Sequence, residues 1–226
     1  MFSYSDTILK KIFNILSDYT IRSSDLTVVT NDFLCKDYIK KITDSCFVLP
    51  DKIPELKTNQ SYQLDSNKIN FVFITSFGRD EPIGEFLSAI SELQDSYFFY
   101  ITGNYKKNIE SLAPKGRNYL INSFIDDDKY IALLKSCDAT VVLTKHEYTL
   151  TCGAYESLFF EKPMILSNTK TIRGYFSKGC VYTDSDSNSI KEAIVNLDKN
   201  FEAIHLHLLN LKKELYKSWQ IDFENL

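Results

Sequence analysis

The chain has 226 residues, 44% of them hydrophobic, with 16 Phe and 14 Tyr but only 7 Gly and 5 Pro. That is ample for a large core and argues against a disordered or low-complexity chain. A net charge of −4 with dispersed lysines gives no basic stripe, which excludes nucleic acid as an expected partner. No apolar run approaches the ~20 residues that cross a bilayer. Ser5, Asp6 and Lys10 interrupt the N-terminal segment before it resembles a secretory leader. A soluble cytoplasmic protein is expected, with at most peripheral contact at the inner face of a membrane. Cys35, Cys46, Cys137, Cys152 and Cys180 are odd in number, scattered and without a CxxC pair, and read as reduced thiols. His205 and His207 lie two apart on a predicted helix and point to different faces, so no metal set is expected.

In chain order, residues 6–20 place Ile8, Leu9, Ile12, Phe13, Leu16 and Tyr19 on one helical stripe, with Lys10, Lys11 and Asp18 largely off it. LTVVT at 26–30 reads as a buried strand. A helix follows from Asp32 to Ile42, capped by Asn31 or Thr30. CFVLP at 46–50 is a short strand. Residues 51–68 are polar, contain Pro54 and show no periodicity, so they read as a linker and a domain boundary. From Ile69 strand and helix alternate. Strands are expected at 69–75, 97–102, 118–122, 139–144, 163–167 and 180–183. Helices are expected at 83–93, 105–112, 127–136, 152–161, 170–176, 187–199 and 201–218, with Trp219 just beyond the last. Near-continuous apolar strands between amphipathic helices predict an α/β domain at 69–200, a doubly wound, Rossmann-like parallel sheet with ligands at the C-terminal strand ends. Residues 1–50 form a small α/β appendage and 201–226 a terminal helix and tail.

The run from Thr149 to Asn168, TLTCGAYESLFFEKPMILSN, carries the most chemistry. It reads as a loop, a helix opening beside Gly153, a stop at Lys162-Pro163 and a buried strand. A helix start offers free N–H groups and a positive dipole end, suited to a diphosphate. Gly153 lets an anion approach the backbone. Glu156, one turn on, is near enough to accept hydrogen bonds from a polyol. An ordinary strand–helix connection whose glutamate complements the dipole accounts for the same residues.

This stretch resembles the donor-binding signature of the retaining GT-B glycosyltransferases, specifically the large family 4. The resemblance extends in order over residues 24–220. INFVFITSFGRDEP is similar to the strand and loop that open the donor domain, and YFFYITGN to the strand ending in Thr-Gly. NYLINSFIDDDKYIALLKSCDATVVLT is similar to the segment bearing the nucleobase pocket. Ser76-Phe77, Asp80-Glu81-Pro82 and the Thr149–Glu156 run resemble a bacterial polysaccharide-biosynthesis branch. The resemblance implies two Rossmann-like domains with the active site between them. Residues 1–50 match only the tail of the first domain, and nothing matches its catalytic histidine or glycine loop.

As the resemblance implies it, Ser76, Thr149, Cys152, Gly153 and Ala154 would hold the donor, Glu156 its ribose, and Phe124 and Ile125 its base, through backbone groups. In the family a second glutamate, eight positions earlier, touches the donor sugar. Here that position is Tyr148 and Glu147 is displaced by one, so either Glu147 or the Tyr148 hydroxyl would take that role, or sugar recognition differs from the family. Arg79 and Lys145 are the cations nearest in sequence for a leaving diphosphate. The family's second loop cation is replaced by Glu85, and Arg79 has acidic neighbours to pair with. Phe124 equally fits a core role. Asp126–Asp128 suits a helix's first turn, and no metal or cofactor is implied. The first expectation is a glycosyltransferase donor half. It would transfer sugar from a UDP- or GDP-linked donor with retention, in cell-surface polysaccharide synthesis. A glycan or lipid-linked acceptor would be held by a second subunit or another copy of the chain. The alternative is a nucleotide-sugar-binding or interaction module without turnover. A 2-epimerase would need acidic and histidine residues from both domains that the chain lacks.

Overall fold

In the computed structural model, residues 4–103, 118–122 and 125–226 are described. The helix expected over 105–112, Phe124, and the side chain of Ile8 lie outside them. The chain divides into two compact units, residues 1–51 with 219–226, and residues 52–218.

The first unit carries α1 (Tyr4–Ser23), β1 (Thr27–Val29), α2 (Asp32–Asp37) and β2 (Cys46–Val48). β1 and β2 pair in parallel with Val28 opposite Phe47. Such pairing needs a crossover, which α2 provides. Asn31 caps α2, its side chain accepting from the Leu34 N–H at 2.8 Å. The helix expected to reach Ile42 stops at Asp37, and Ile39–Lys41 forms a 3₁₀ turn instead. An aspartate at a helix C-terminus opposes the dipole, and tightening to 3₁₀ satisfies the last carbonyls. Val29, Cys35 and Ile39 form a small core with Ile21 and Val48 packed against it. The reading of five reduced thiols is corrected for two of them. Cys35 and Cys46 are joined as a disulfide, because the crossover lays α2 against β2 and brings their Cα atoms within 6.3 Å. Along α1, Leu9, Ile12, Phe13, Leu16 and Tyr19 are all exposed, so the predicted stripe is uncovered.

The second unit is built on β3 (Ile69–Phe73), β4 (Tyr97–Ile101), β5 (Tyr119–Ile121), β6 (Ala139–Val142), β7 (Met164–Ser167) and β8 (Cys180–Thr183). Among the described residues these form one parallel sheet in the order β5-β4-β3-β6-β7-β8. It is a doubly wound sheet, and the order reverses between β3 and β6, the switch point where such sheets bind ligands. Strand alternation sends Phe71, Phe73, Val141 and Ile165 to one face, where α3 (Ile83–Ser91) packs on α7 (Ser187–Lys199). Val142, Met164 and Leu166 turn to the other face and meet α5 (Cys152–Phe159), α6 (Lys170–Tyr175) and α8 (Phe201–Glu224). α4 (Asp127–Ser136) buries Leu133 and Leu134 against Val72 and Tyr100.

Residues 52–68 have no helix or strand, yet Ile53 is buried against this second core and Tyr62 and Leu64 pack near Tyr100. α8 corrects the expected end at 218. It runs through Trp219, which stacks on Phe223 and donates its indole N–H to the Pro50 carbonyl at 2.9 Å. No Gly or Pro stands at 219–224 to stop the helix. Among the described residues no helix is long and apolar enough to cross a membrane.

Candidate functional site

Two loops leave the switch point, residues 74–82 after β3 and 143–151 after β6. With the start of α5 they enclose a cleft of about 430 Å³. Ser76, Thr149, Cys152, Gly153 and Glu156, five of the residues expected from sequence, line it together. Thr75, Asp80, Glu81, Tyr130 and Thr144 line it as well and carried no role in the sequence reading.

At the mouth of α5, Thr151 is the N-cap residue, but its side chain caps nothing, and its hydroxyl oxygen is buried without a partner. The Ala154 N–H donates to the Thr151 carbonyl at 3.0 Å, and this end of α5 carries the positive end of the helix dipole. Gly153 is buried here for a reason the sequence reading did not hold. A Cβ on it would meet Ile74 Cγ2 at 2.9 Å, so the glycine lets α5 close on the end of β3. Ala154 is fully buried in the core beneath and is not among the cleft residues. Glu156 faces the cleft, and its Oε2 accepts a short hydrogen bond from the Tyr130 hydroxyl of α4. Burial, and then the Glu156 charge, push the Tyr130 phenol far above its usual pKa, so it stays a donor.

The β3 side is organised by Glu81. Its carboxylate accepts from the Thr75 hydroxyl (2.6 Å), the Ser76 N–H (3.0 Å) and the Gly78 N–H (2.6 Å). Phe77, inside that turn, sits at φ 60, a conformation unfavourable for a bulky residue. The loop therefore already holds an anion, one of its own. Asp80 accepts from the Thr144 hydroxyl at 2.8 Å, which ties the β3 loop to the β6 loop. Gly103, after β4, has φ +118, and a Cβ there would lie 2.1 Å from the Thr75 carbonyl, so only glycine fits.

The remaining expected residues lie elsewhere. Ile125 lines an adjoining cavity of about 200 Å³ with Thr102, Gly103, Asp127 and Tyr130. Glu147 turns away to α6, where it accepts from the Thr171 N–H at 3.0 Å. Lys145 pairs with Glu85 at 2.9 Å, and that hydrogen bond holds the Glu85 carboxyl below its usual pKa. Arg79 is exposed and makes no ion pair or hydrogen bond with the described residues. The cleft thus carries the carboxylates of Asp80, Glu81 and Glu156 and, among its described lining residues, no Lys, Arg or His. Asp126 caps α4 by accepting from the Lys129 N–H at 3.0 Å, and among the described residues no His/Cys/Asp/Glu group is arranged to hold a metal. A sequence signal for Glu81 was present in the Asp80-Glu81-Pro82 run. Tyr130 offered only a hydroxyl at a helix position otherwise facing the core.

No family model matches the sequence, and no curated protein matches it. Solved structures do match. The sucrose-phosphate synthase of Thermosynechococcus elongatus superposes with TM-score 0.70 at 14% identity, over 92% of this chain and 58% of that one. HepE of Anabaena, in complex with UDP and glucose, gives 0.71 at 8% identity, over 94% and 66%. A variant of S. aureus TarM bound to fondaparinux, α-GlcNAc-glycerol and UDP gives 0.64 at 12% identity, over 92% and 45%. The fold is that of GT-B glycosyltransferase structures. The chain spans about half to two thirds of the length of these neighbours.

Proposed function

We propose that this chain is the donor-binding part of a glycosyltransferase. It binds a UDP- or GDP-linked sugar and transfers the sugar with retained configuration in cell-surface polysaccharide synthesis. The observation that carries the reading is the cleft at the switch point. There the N-terminal, positive dipole end of α5 and the Glu156 carboxylate one turn later face the same space, beside a second cavity at Ile125. The diphosphate would lie at the α5 end, the ribose at Glu156 and the base in the cavity beside Gly103. In the reaction the bond from the sugar's anomeric carbon to phosphate breaks and one to an acceptor hydroxyl forms. The protein's part is to orient the donor and to stabilise the departing diphosphate. A glycan or lipid-linked acceptor is held by a second subunit or another copy of the chain, and the uncovered stripe of α1 is a surface for that association. The work takes place in the cytoplasm, at or near the membrane, and without a metal ion.

One observation favours a second reading, a nucleotide-sugar-binding module without turnover. The cleft has three carboxylates and no described cation to offset the charge of a leaving diphosphate. Calorimetry with UDP, GDP and their sugar conjugates, with and without EDTA, followed by hydrolysis and transfer assays, separates the two. Binding with turnover supports the first reading, and binding without turnover in the presence of acceptor and partner supports the second. Absence of any nucleotide binding overturns both.

A further inference from the structure

Tyr130 lines both cavities, the larger cleft with Glu156 and the smaller with Ile125 and Asp127, so the hydrogen-bonded Tyr130–Glu156 pair stands where the two meet. A ligand that places a base in one and a diphosphate in the other must cross this pair with the group that joins them. The chemistry presented there is specific. The phenol spends its only proton on Glu156 Oε2, which leaves the Tyr130 oxygen able to accept. Glu156 Oε1 accepts from no other described residue. Two acceptor oxygens therefore stand side by side, on side chains from different helices, with no donor between them. Acceptors without donors repel a phosphate or carbonyl and suit a group with two adjacent hydroxyls, each of which donates once.

We propose that Tyr130 is a specificity-determining residue of the donor site: with Glu156 it forms a paired acceptor for a vicinal diol, the 2′- and 3′-hydroxyls of a ribonucleotide. This rests on the nucleotide-sugar reading above and assigns a role to a residue that reading does not need. The bond to Glu156 also fixes the carboxylate's rotamer, so Tyr130 positions one acceptor and supplies the other.

The test is calorimetry of the full chain with UDP and GDP and with their 2′-deoxy and 3′-deoxy forms, on the wild type and on Tyr130→Phe. In the wild type each deoxy form should bind about tenfold more weakly than the ribonucleotide, the loss expected for one hydrogen bond. In Tyr130→Phe, affinity for the ribonucleotide should fall by a similar factor. One of the two deoxy penalties should vanish while the other persists through Glu156. A purely structural role for Tyr130 would weaken all the ligands equally and leave both penalties in place, and that result overturns the inference. Wild-type protein that binds ribonucleotides without penalty for either deoxy form overturns it too, even if the variant does not fold. Wild-type protein that binds no nucleotide removes the donor-site reading and this inference together, so the two failures are told apart.

Discussion

The loop after β3 is held in shape by one carboxylate, and removing it should have a measurable local cost. In Glu81→Ala the Thr75 hydroxyl, the Ser76 N–H and the Gly78 N–H lose their acceptor. Hydrogen bonds to a charged group contribute ~1.5–3 kcal/mol each when made. Ser76 is exposed and its amide is readily taken up by water, so its share is small. Thr75 is buried and Gly78 half-buried, and these two leave donors without good replacements. We expect a loss of roughly 2–3 kcal/mol, concentrated in this loop because the sheet beneath it is unchanged. The assay is amide hydrogen exchange at Ser76 and Gly78, where that loss corresponds to about 30- to 150-fold faster exchange. The amides of Val72 and Phe73, within β3, serve as internal controls. Glu81→Gln, which keeps one acceptor oxygen, should fall between. If exchange at Gly78 in Glu81→Ala stays within a factor of about three of the wild type, the carboxylate is not what holds the turn.

Other consequences follow from the same packing. Glu156→Ala should weaken nucleotide binding by ~1–3 kcal/mol and also lower the melting temperature, because it leaves the half-buried Tyr130 hydroxyl without its acceptor; unchanged nucleotide affinity would rule out the ribose role. Gly153→Val should destabilise the second unit through the Ile74 contact, and a melting temperature equal to that of the parent would show that α5 can withdraw at no cost. Burial pushes the Cys137 thiol up to about 12, and burial with the Asp198 hydrogen bond pushes the Tyr97 phenol up to about 12. The unfolded chain therefore releases these protons first, so their stabilisation is complete below pH 9 and is lost as the pH rises from 9 to 12; urea titrations at pH 8 and pH 11 check the sign, and Tyr97→Phe should reduce the slope. Charge substitutions at Ile12 and Phe13 should abolish any self-association or partner capture seen by sedimentation with the wild type, since both side chains are exposed on α1.

What the sequence made legible was periodic. INFVF, YFFYI, ATVV and MILS are mostly apolar on both faces, which a sheet covered on both sides accommodates. From that alternation the doubly wound order and the C-terminal edge as the place of the site both follow. Element ends were less legible. Strands β3 and β6 stop at Phe73 and Val142, a residue or two short of their apolar runs, because Ile74 and Leu143 are already turning into the cleft. α8 continues past Trp219 because nothing in the sequence marks its end. The Cys35–Cys46 disulfide depends on how a crossover helix lies on its strand, which spacing alone does not reveal.

The candidate site divides along the same line. That Thr149, Cys152, Gly153 and Glu156 lie together around the start of α5 was readable, because a helix N-terminus is a sequence-local object. The charges were not, because a side chain's partner is chosen by the fold. Lys145 found Glu85 across 60 residues, Glu147 found the first turn of α6, and Glu81 found amides only a few residues away that become convergent donors once Phe77 takes its positive φ. Each of these pairings withdraws a charge that the sequence had left available to a ligand. The outcome is a cleft with the positive dipole end of α5 on one side and the Tyr130–Glu156 acceptors on the other. An anion and a polyol are sorted by such a surface to opposite ends, which is the order in which a nucleotide carries its diphosphate and its ribose. Orientation of a bound nucleotide would thus be set by donor and acceptor placement rather than by net charge. Affinity should accordingly show a shallow dependence on salt, and a steep fall between 50 and 200 mM salt would place an unrecognised cation in the site.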